Sequence, residues 1–188
     1  MGKALAGIPA GKRPYVFTKG GLVWDPKDRH AEPARAGAPA SIRREVEASL
    51  KRLGVERIDL YQLHWPAGDV PLETYWQTFL DLKKEGKIRA AGLSNHNTAQ
   101  LTAAERVGHV DTLPPPFSAI RRGFAETELP WCREHDTGVI VYSPMQAGLL
   151  SGRFTAERAR RAERRLAHPQ RRFFGRQAGP QSEARRGS

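Results

Sequence analysis

Between residues 15 and 152 short β-branched or apolar runs alternate with longer segments of helical period, and glycines stand at many of the joins. Strands separated by single helices return by crossovers and pair in parallel, so this order confines the chain to α/β architectures built from βα units. The strand candidates are Tyr15–Thr18, Ile58–Leu63, Ile88–Leu93, a short one at Thr112–Leu113, and Gly138–Tyr142, which makes about five units. Ser41 is the expected N-cap of a first long helix with an apolar face of Ile42, Val46, Leu50 and Leu53, closed by Gly54. In the next helix Leu72, Tyr75, Trp76, Phe79 and Leu80 share one face, and Gly86 ends it. A third runs from Asn97, where Asn97 and Gln100 form a capping box, to Gly108, and a fourth covers Ala125 to His135. Two architectures remain open at this level, a doubly wound sheet and a (β/α)8 barrel. No Gly-x-Gly-x-x-Gly turn follows any of the strands, which disfavours a Rossmann site. The stretch from Trp24 to Pro39 has no period and reads as a long βα loop.

A chain of 188 residues suits one core. It contains no apolar run near the roughly 20 residues that cross a bilayer, and no signal-peptide core at its start, so the expected location is the cytoplasm. The single cysteine, Cys132, has neither a disulfide partner nor spaced metal-ligand companions and is expected to be an inert thiol. The net charge of +11 is uneven, with 20 Lys/Arg against 17 Asp/Glu up to Gly152 and 11 Arg against 3 Glu from Arg153 onward. Residues 156–188 therefore read as a basic, disordered tail with too few large apolar side chains for a core, appended to a folded body over 1–155. Apart from Phe173-Phe174 the tail lacks interleaved aromatics, so nucleic acid is not an expected partner. A binding or scaffold protein that uses this tail is the rival to an enzyme.

The strand ends are polar. Lys19 follows Val-Phe-Thr, His64 follows Leu-Tyr-Gln-Leu, Ser94-Asn95 follow Ala-Gly-Leu, and Tyr142-Ser143 follow Val-Ile-Val. In a parallel barrel these positions meet at the C-terminal face, where a lysine and a histidine can perform acid–base work or hold a developing oxyanion. Each also has a plainer reading as a solvated strand end, a structural histidine, a helix cap or a core ring.

The stretch from Ser41 to Pro66, ending in Ile58-Asp-Leu-Tyr-Gln-Leu-His-Trp-Pro66, resembles the signature region of the aldo/keto reductases. Phe17-Thr-Lys-Gly20, Glu85-Gly-Lys-Ile-Arg-Ala-Ala-Gly-Leu-Ser-Asn95 and Val141-Tyr-Ser-Pro-Met-Gln-Ala-Gly-Leu-Leu-Ser-Gly152 are similar to other stretches of the family in the same order. The resemblance implies part of a TIM-type (β/α)8 barrel, NADP(H) as cofactor, and a small aldehyde or ketone as substrate. It implies that Lys19 lowers the pKa of a tyrosine acid and that His64 orients the substrate carbonyl. Ser94 and Asn95 would hydrogen-bond the nicotinamide carboxamide, and Tyr142 would stack on the ring. Ser143, Pro144, Met145, Gln146 and Ala147 would follow the pyrophosphate, and Arg153 would reach a cofactor phosphate.

Four departures qualify this. The family's aspartate and proton-donating tyrosine belong to a segment that would precede Met1, with Met1–Leu5 as the end of the helix before the lysine strand. Tyr15 and Tyr61 are expected within strands and do not replace that tyrosine. Only about five of eight units are present, Pro114 stands where a glutamine usually holds the carboxamide, and the Arg-rich tail does not resemble the segment that binds the adenosine 2′-phosphate. The expectation is a reductase incomplete at both ends, its activity lowered about 10²- to 10⁴-fold by loss of the proton donor alone. Nothing in the sequence sets an oligomeric state.

Overall fold

The computed structural model describes residues 1–28, 30–153, 155, 157 and 160, so the expected disordered tail over 156–188 lies outside the described residues apart from Glu157 and Arg160. A short helix α1 (Gly2–Ala6) precedes strand β1 (Phe17–Gly20), a hairpin of β2 (Leu22–Val23) and β3 (Ala34–Arg35), and helix α2 (Pro39–Leu53). The chain continues through β4 (Ile58–Leu63), α3 (Leu72–Lys84), β5 (Ile88–Leu93), α4 (Thr98–Val107), β6 (Thr112–Leu113), α5 (Glu128–Glu134) and β7 (Gly138–Val139), with a 3-10 segment over Gln146–Ser151.

Strands β1, β4, β5, β6 and β7 form one parallel sheet in their order along the chain. A doubly wound sheet reverses its strand order at a switch point, whereas a barrel winds in one direction. The observed order is singly wound, and it selects the barrel type from the two architectures the sequence leaves open. Successive residues of β4 point to opposite faces. Tyr61 stacks on Phe79 of α3 with ring centroids 5.4 Å apart and joins the core between sheet and helices, together with Leu63, Ala91 and Leu93. Gln62 points the other way and donates to Thr112 Oγ1 at 3.0 Å. Among the described residues no helix is long and apolar enough to cross a membrane.

Several boundaries differ from the sequence expectation for tertiary reasons. Helix α2 starts at Pro39 with Ala38 as N-cap, so Ser41 is not the cap; its hydroxyl instead donates to Glu45 at 3.2 Å. Proline suits the first helical position, where no N–H is needed, and the Asp69 carboxylate accepts from the Gly37 and Ala38 N–H groups at 2.8 and 3.1 Å, which anchors the start from across the fold. Strand β1 begins two residues later than expected because Asp59 Oδ2 accepts the Val16 N–H at 2.9 Å. Lys19 consequently lies inside the strand, in register with Gln62, and Tyr15 lies outside it and is exposed. Strand β7 stops at Val139, three residues before the expected end. Its neighbour continues as Pro114-Pro115-Pro116, which has no N–H to give, and pairing survives as Tyr142 N–H to Pro115 O at 2.9 Å and Phe117 N–H to Tyr142 O at 3.2 Å. The expected loop over 24–39 contains β3, and the fourth expected helix is divided into a 3-10 turn over Gly123–Ala125 and α5. The capping box of α4 is formed, with Gln100 N–H donating to Asn97 Oδ1 and Asn97 N–H to Gln100 Oε1. Cys132 is buried, and burial followed by the nearby Glu128 pushes its thiol up to about 11, which disfavours the reactive thiolate.

Gly92 lies between Gln62 and Thr112 in register with both. A β-carbon there would sit 2.8 Å from the Thr112 carbonyl oxygen and closer still to its hydroxyl. Gly92→Ala is therefore expected to push β5 and β6 apart and cost about 1–3 kcal/mol of stability, measured as a lower urea midpoint.

Candidate active site

The carboxyl ends of the strands converge. Lys19 is half-buried on the same face as Gln62, since residues in register on parallel strands point the same way. Its ammonium lies 5.9 Å from the centroid of the Tyr142 ring, and burial lowers its pKa. His64 is the first residue past β4, where its N–H donates to Gly20 O at 3.0 Å. Burial, and then the charge of Lys19, lower the pKa of its imidazole. A neutral imidazole beside a desolvated ammonium is thus favoured. Trp65 stacks beside His64 with ring centroids 6.4 Å apart, and the Arg35 guanidinium of β3 lies 4.8 Å over the Trp65 ring, which holds the hairpin against this edge of the site.

Asn95 ties the strand ends together. Its Nδ2 donates to the His64 carbonyl at 2.8 Å and to Ser94 Oγ at 3.1 Å, while its Oδ1 accepts from the Tyr142 hydroxyl at 2.7 Å. Ser94 is fully buried; its N–H donates to Leu63 O at 2.8 Å and its hydroxyl to Pro114 O at 3.3 Å. Pro114 therefore supplies a carbonyl acceptor at the place where a glutamine side chain was expected. Burial raises the Tyr142 pKa, opposed by Arg121, so this ring keeps its proton.

The loop after Tyr142 has an unusual backbone. Five non-glycine residues among those described have φ in the left-handed region, and four of them are Asn95, Ser143, Gln146 and Ala147. Such conformations cost roughly 1–3 kcal/mol each and persist only where the surroundings over-determine them. Gln146 donates from its N–H to Ser143 O at 3.0 Å and from Nε2 to Ser118 Oγ at 2.8 Å, which fixes the turn. Pro144 and Met145 form its exposed crest. Arg153 lies beyond the 3-10 segment and is exposed, with its N–H 3.4 Å from Ser151 Oγ. Two cavities meet this group. One of about 530 Å³ is bordered by Trp65, Asn95, Phe124 and Tyr142, and one of about 500 Å³ by Lys19, His64 and Trp24.

The model of the aldo/keto reductase family matches residues 1–179. The chain belongs to the aldo/keto reductase family. It is 38% identical over 161 residues to the aldo-keto reductase YhdN of Bacillus subtilis, covering 84% of this chain and 46% of that protein. It is 36% identical over 168 residues to the NADH-specific methylglyoxal reductase of Escherichia coli, covering 84% of this chain and 51% of that one. Among solved structures it is similar to a glycerol dehydrogenase from Gluconobacter oxydans, with TM-score 0.78 and 37% identity over 83% of this chain and 47% of that chain. An aldo/keto reductase from Klebsiella pneumoniae, in complex with NADP and acetate, gives TM-score 0.65 and 33% identity over 79% of this chain and 49% of the other. This family member spans about half the length of the relatives it matches, and the span holds consecutive βα units of their barrel.

Sequence reasoning did not single out His96, which is 4% exposed and follows Asn95 directly. Its only signal is adjacency to the Ser94-Asn95 pair. Burial lowers its pKa to about 4, partly offset by its bond to the Ser94 carbonyl. The unfolded chain takes up a proton at His96 near pH 6.5, whereas the folded chain does so only near pH 4. Acid thus favours unfolding through that window, and stability rises with pH across it, by about 3 kcal/mol in total from this residue. Urea unfolding between pH 4 and 7 is expected to show this slope, and His96→Phe to flatten it.

Proposed function

We propose that this chain binds the nicotinamide end of NADP(H) and serves NADP(H)-dependent reduction of a small aldehyde or ketone. The observation that carries the reading is the Asn95 amide, held at φ 63° and bonded at once to the His64 carbonyl and the Tyr142 hydroxyl. A carboxamide fits this donor set. Asn95 Oδ1 retains a second lone pair beside the one used by Tyr142, and the Ser94 hydroxyl, which accepts from Asn95 Nδ2 at 3.1 Å, donates only through a long bond, 3.3 Å, that it can exchange. Tyr142 would stack on the ring, the loop of Ser143, Pro144, Met145, Gln146 and Ala147 would follow the pyrophosphate, and Arg153 would reach a phosphate. When bound, the reduced nicotinamide supplies the hydride.

The chain's own groups then act on the carbonyl. The neutral His64 ring retains one N–H, which can donate to the carbonyl oxygen and set its angle. Lys19, whose ammonium is poorly solvated, stabilises negative charge growing on that oxygen more strongly than a lysine in open water would, and water supplies the proton that turns the resulting alkoxide into the alcohol. The Klebsiella relative was solved with NADP and the Escherichia coli relative is NADH-specific, so both cofactors belong in the test.

Fluorescence titration of the chain is expected to show NADPH binding tighter than NADH, and Asn95→Ala to weaken it by roughly 10-fold through loss of its hydrogen bonds. Equal affinity of Asn95→Ala and the unmodified chain would sink the carboxamide assignment. Lys19→Met is expected to leave NADPH affinity within about 2-fold, while slowing single-turnover reduction of a generic aldehyde by about 10²- to 10³-fold.

A further inference from the structure

Tyr75 looks from its spacing like one more core aromatic on the buried face of α3, yet its hydroxyl lies 2.9 Å from His96 Nε2. The other ring nitrogen of His96, Nδ1, lies 2.9 Å from the Ser94 carbonyl oxygen. A carbonyl can only accept, so Nδ1 carries the proton and Nε2 is the acceptor. The Tyr75 O–H therefore donates to His96, and His96 donates to Ser94. Both side chains are sealed from water, at 1% and 4% exposure, and their rings meet edge to face with centroids 5.9 Å apart. Burial keeps the imidazole neutral and the phenol protonated, which is the state this direction of donation requires.

The consequence falls on the next peptide. Ser94 is held from both sides, its N–H by Leu63 O and its carbonyl by His96, and Asn97 opens α4 through its capping box. Asn95 is the residue caught between these anchors, and it takes a left-handed φ of 63°, a region open to asparagine more than to most side chains, which these bonds on either side fix in place. We infer that Tyr75 and His96 are positioning residues: a buried two-bond relay from α3 that fixes the Ser94–Asn95 turn and so aims the Ser94 hydroxyl and the Asn95 amide at the nicotinamide carboxamide. This role rests on the cofactor reading above. It makes nicotinamide affinity depend on a tyrosine that sits among helix-core residues.

The test compares the unmodified chain with Tyr75→Phe, which keeps the ring and removes the donor, and with His96→Phe, which keeps an aromatic ring and removes both bonds. Phe79→Leu serves as control, since Phe79 lies on the same helix but packs on Tyr61 and Trp76. NADPH and NADH affinities are read by fluorescence, and the Asn95 side-chain NH₂ signals by ¹H–¹⁵N NMR. Both Phe variants are expected to weaken NADPH binding roughly three- to ten-fold and to shift the Asn95 signals. Phe79→Leu is expected to lower the unfolding midpoint and change neither. Unaltered affinity and Asn95 signals in the Phe variants overturn the positioning role and leave the cofactor reading standing, as does an equal loss of affinity in Phe79→Leu. Failure of the unmodified chain to bind either nucleotide overturns the cofactor reading, and the role built on it goes with it.

Discussion

The register of β4 between β1 and β5 is the constraint on which the rest of the structure depends. Because side chains alternate along a strand, that register decides which residues face the helices and which face away. Tyr61 and Leu63 enter the core with Phe79, while Gln62 shares the opposite face with Lys19 and meets Thr112. A slip of one residue in β4 would turn Tyr61 and Leu63 out of the apolar layer and Gln62 into it. Asp59 guards against such a slip at the start of the pair by accepting the Val16 N–H, and Asp111 does the same for β5 by accepting the Ala91 N–H at 2.8 Å while it binds Lys83.

Above this frame the site combines poor solvation with imposed backbone geometry. Lys19 and His64 are each half-buried, and the charge of one lowers the pKa of the other. Asn95, Ser143, Gln146 and Ala147 hold left-handed conformations in which a non-glycine residue is strained. The surrounding hydrogen bonds hold them in place, and most of these run to other parts of the chain: Asn95 to His64 and Tyr142, Gln146 to Ser118, Ser94 to Leu63 and Pro114.

Family membership and the length of the match carry different weight. The matched span includes the lysine strand, the histidine strand, the Ser94–Asn95 turn and the Tyr142 loop in one continuous run of units, and it corresponds to about half of each relative. The aldo/keto reductase frame is therefore present over the span that carries these polar strand ends. The basic part of the sequence from Arg153 onward carries +8 of the net charge of +11.

The sequence by itself determined β4, β5, α3 and α4, because their apolar periods and the Asn97–Gln100 cap act over a few residues and depend on no distant partner. It also determined the family and the short list of polar strand ends. Only the tertiary structure decided the singly wound order, the start of α2 at Pro39 under Asp69, the late start of β1 beyond the Asp59 bond, and the early end of β7 beside three prolines. The same holds for the pairing of Tyr75 with His96, 21 residues apart. Each of these is a hydrogen bond, or the lack of one, between segments far apart in the chain, and local spacing carries no record of which donor will face which acceptor once α3 has packed on the sheet.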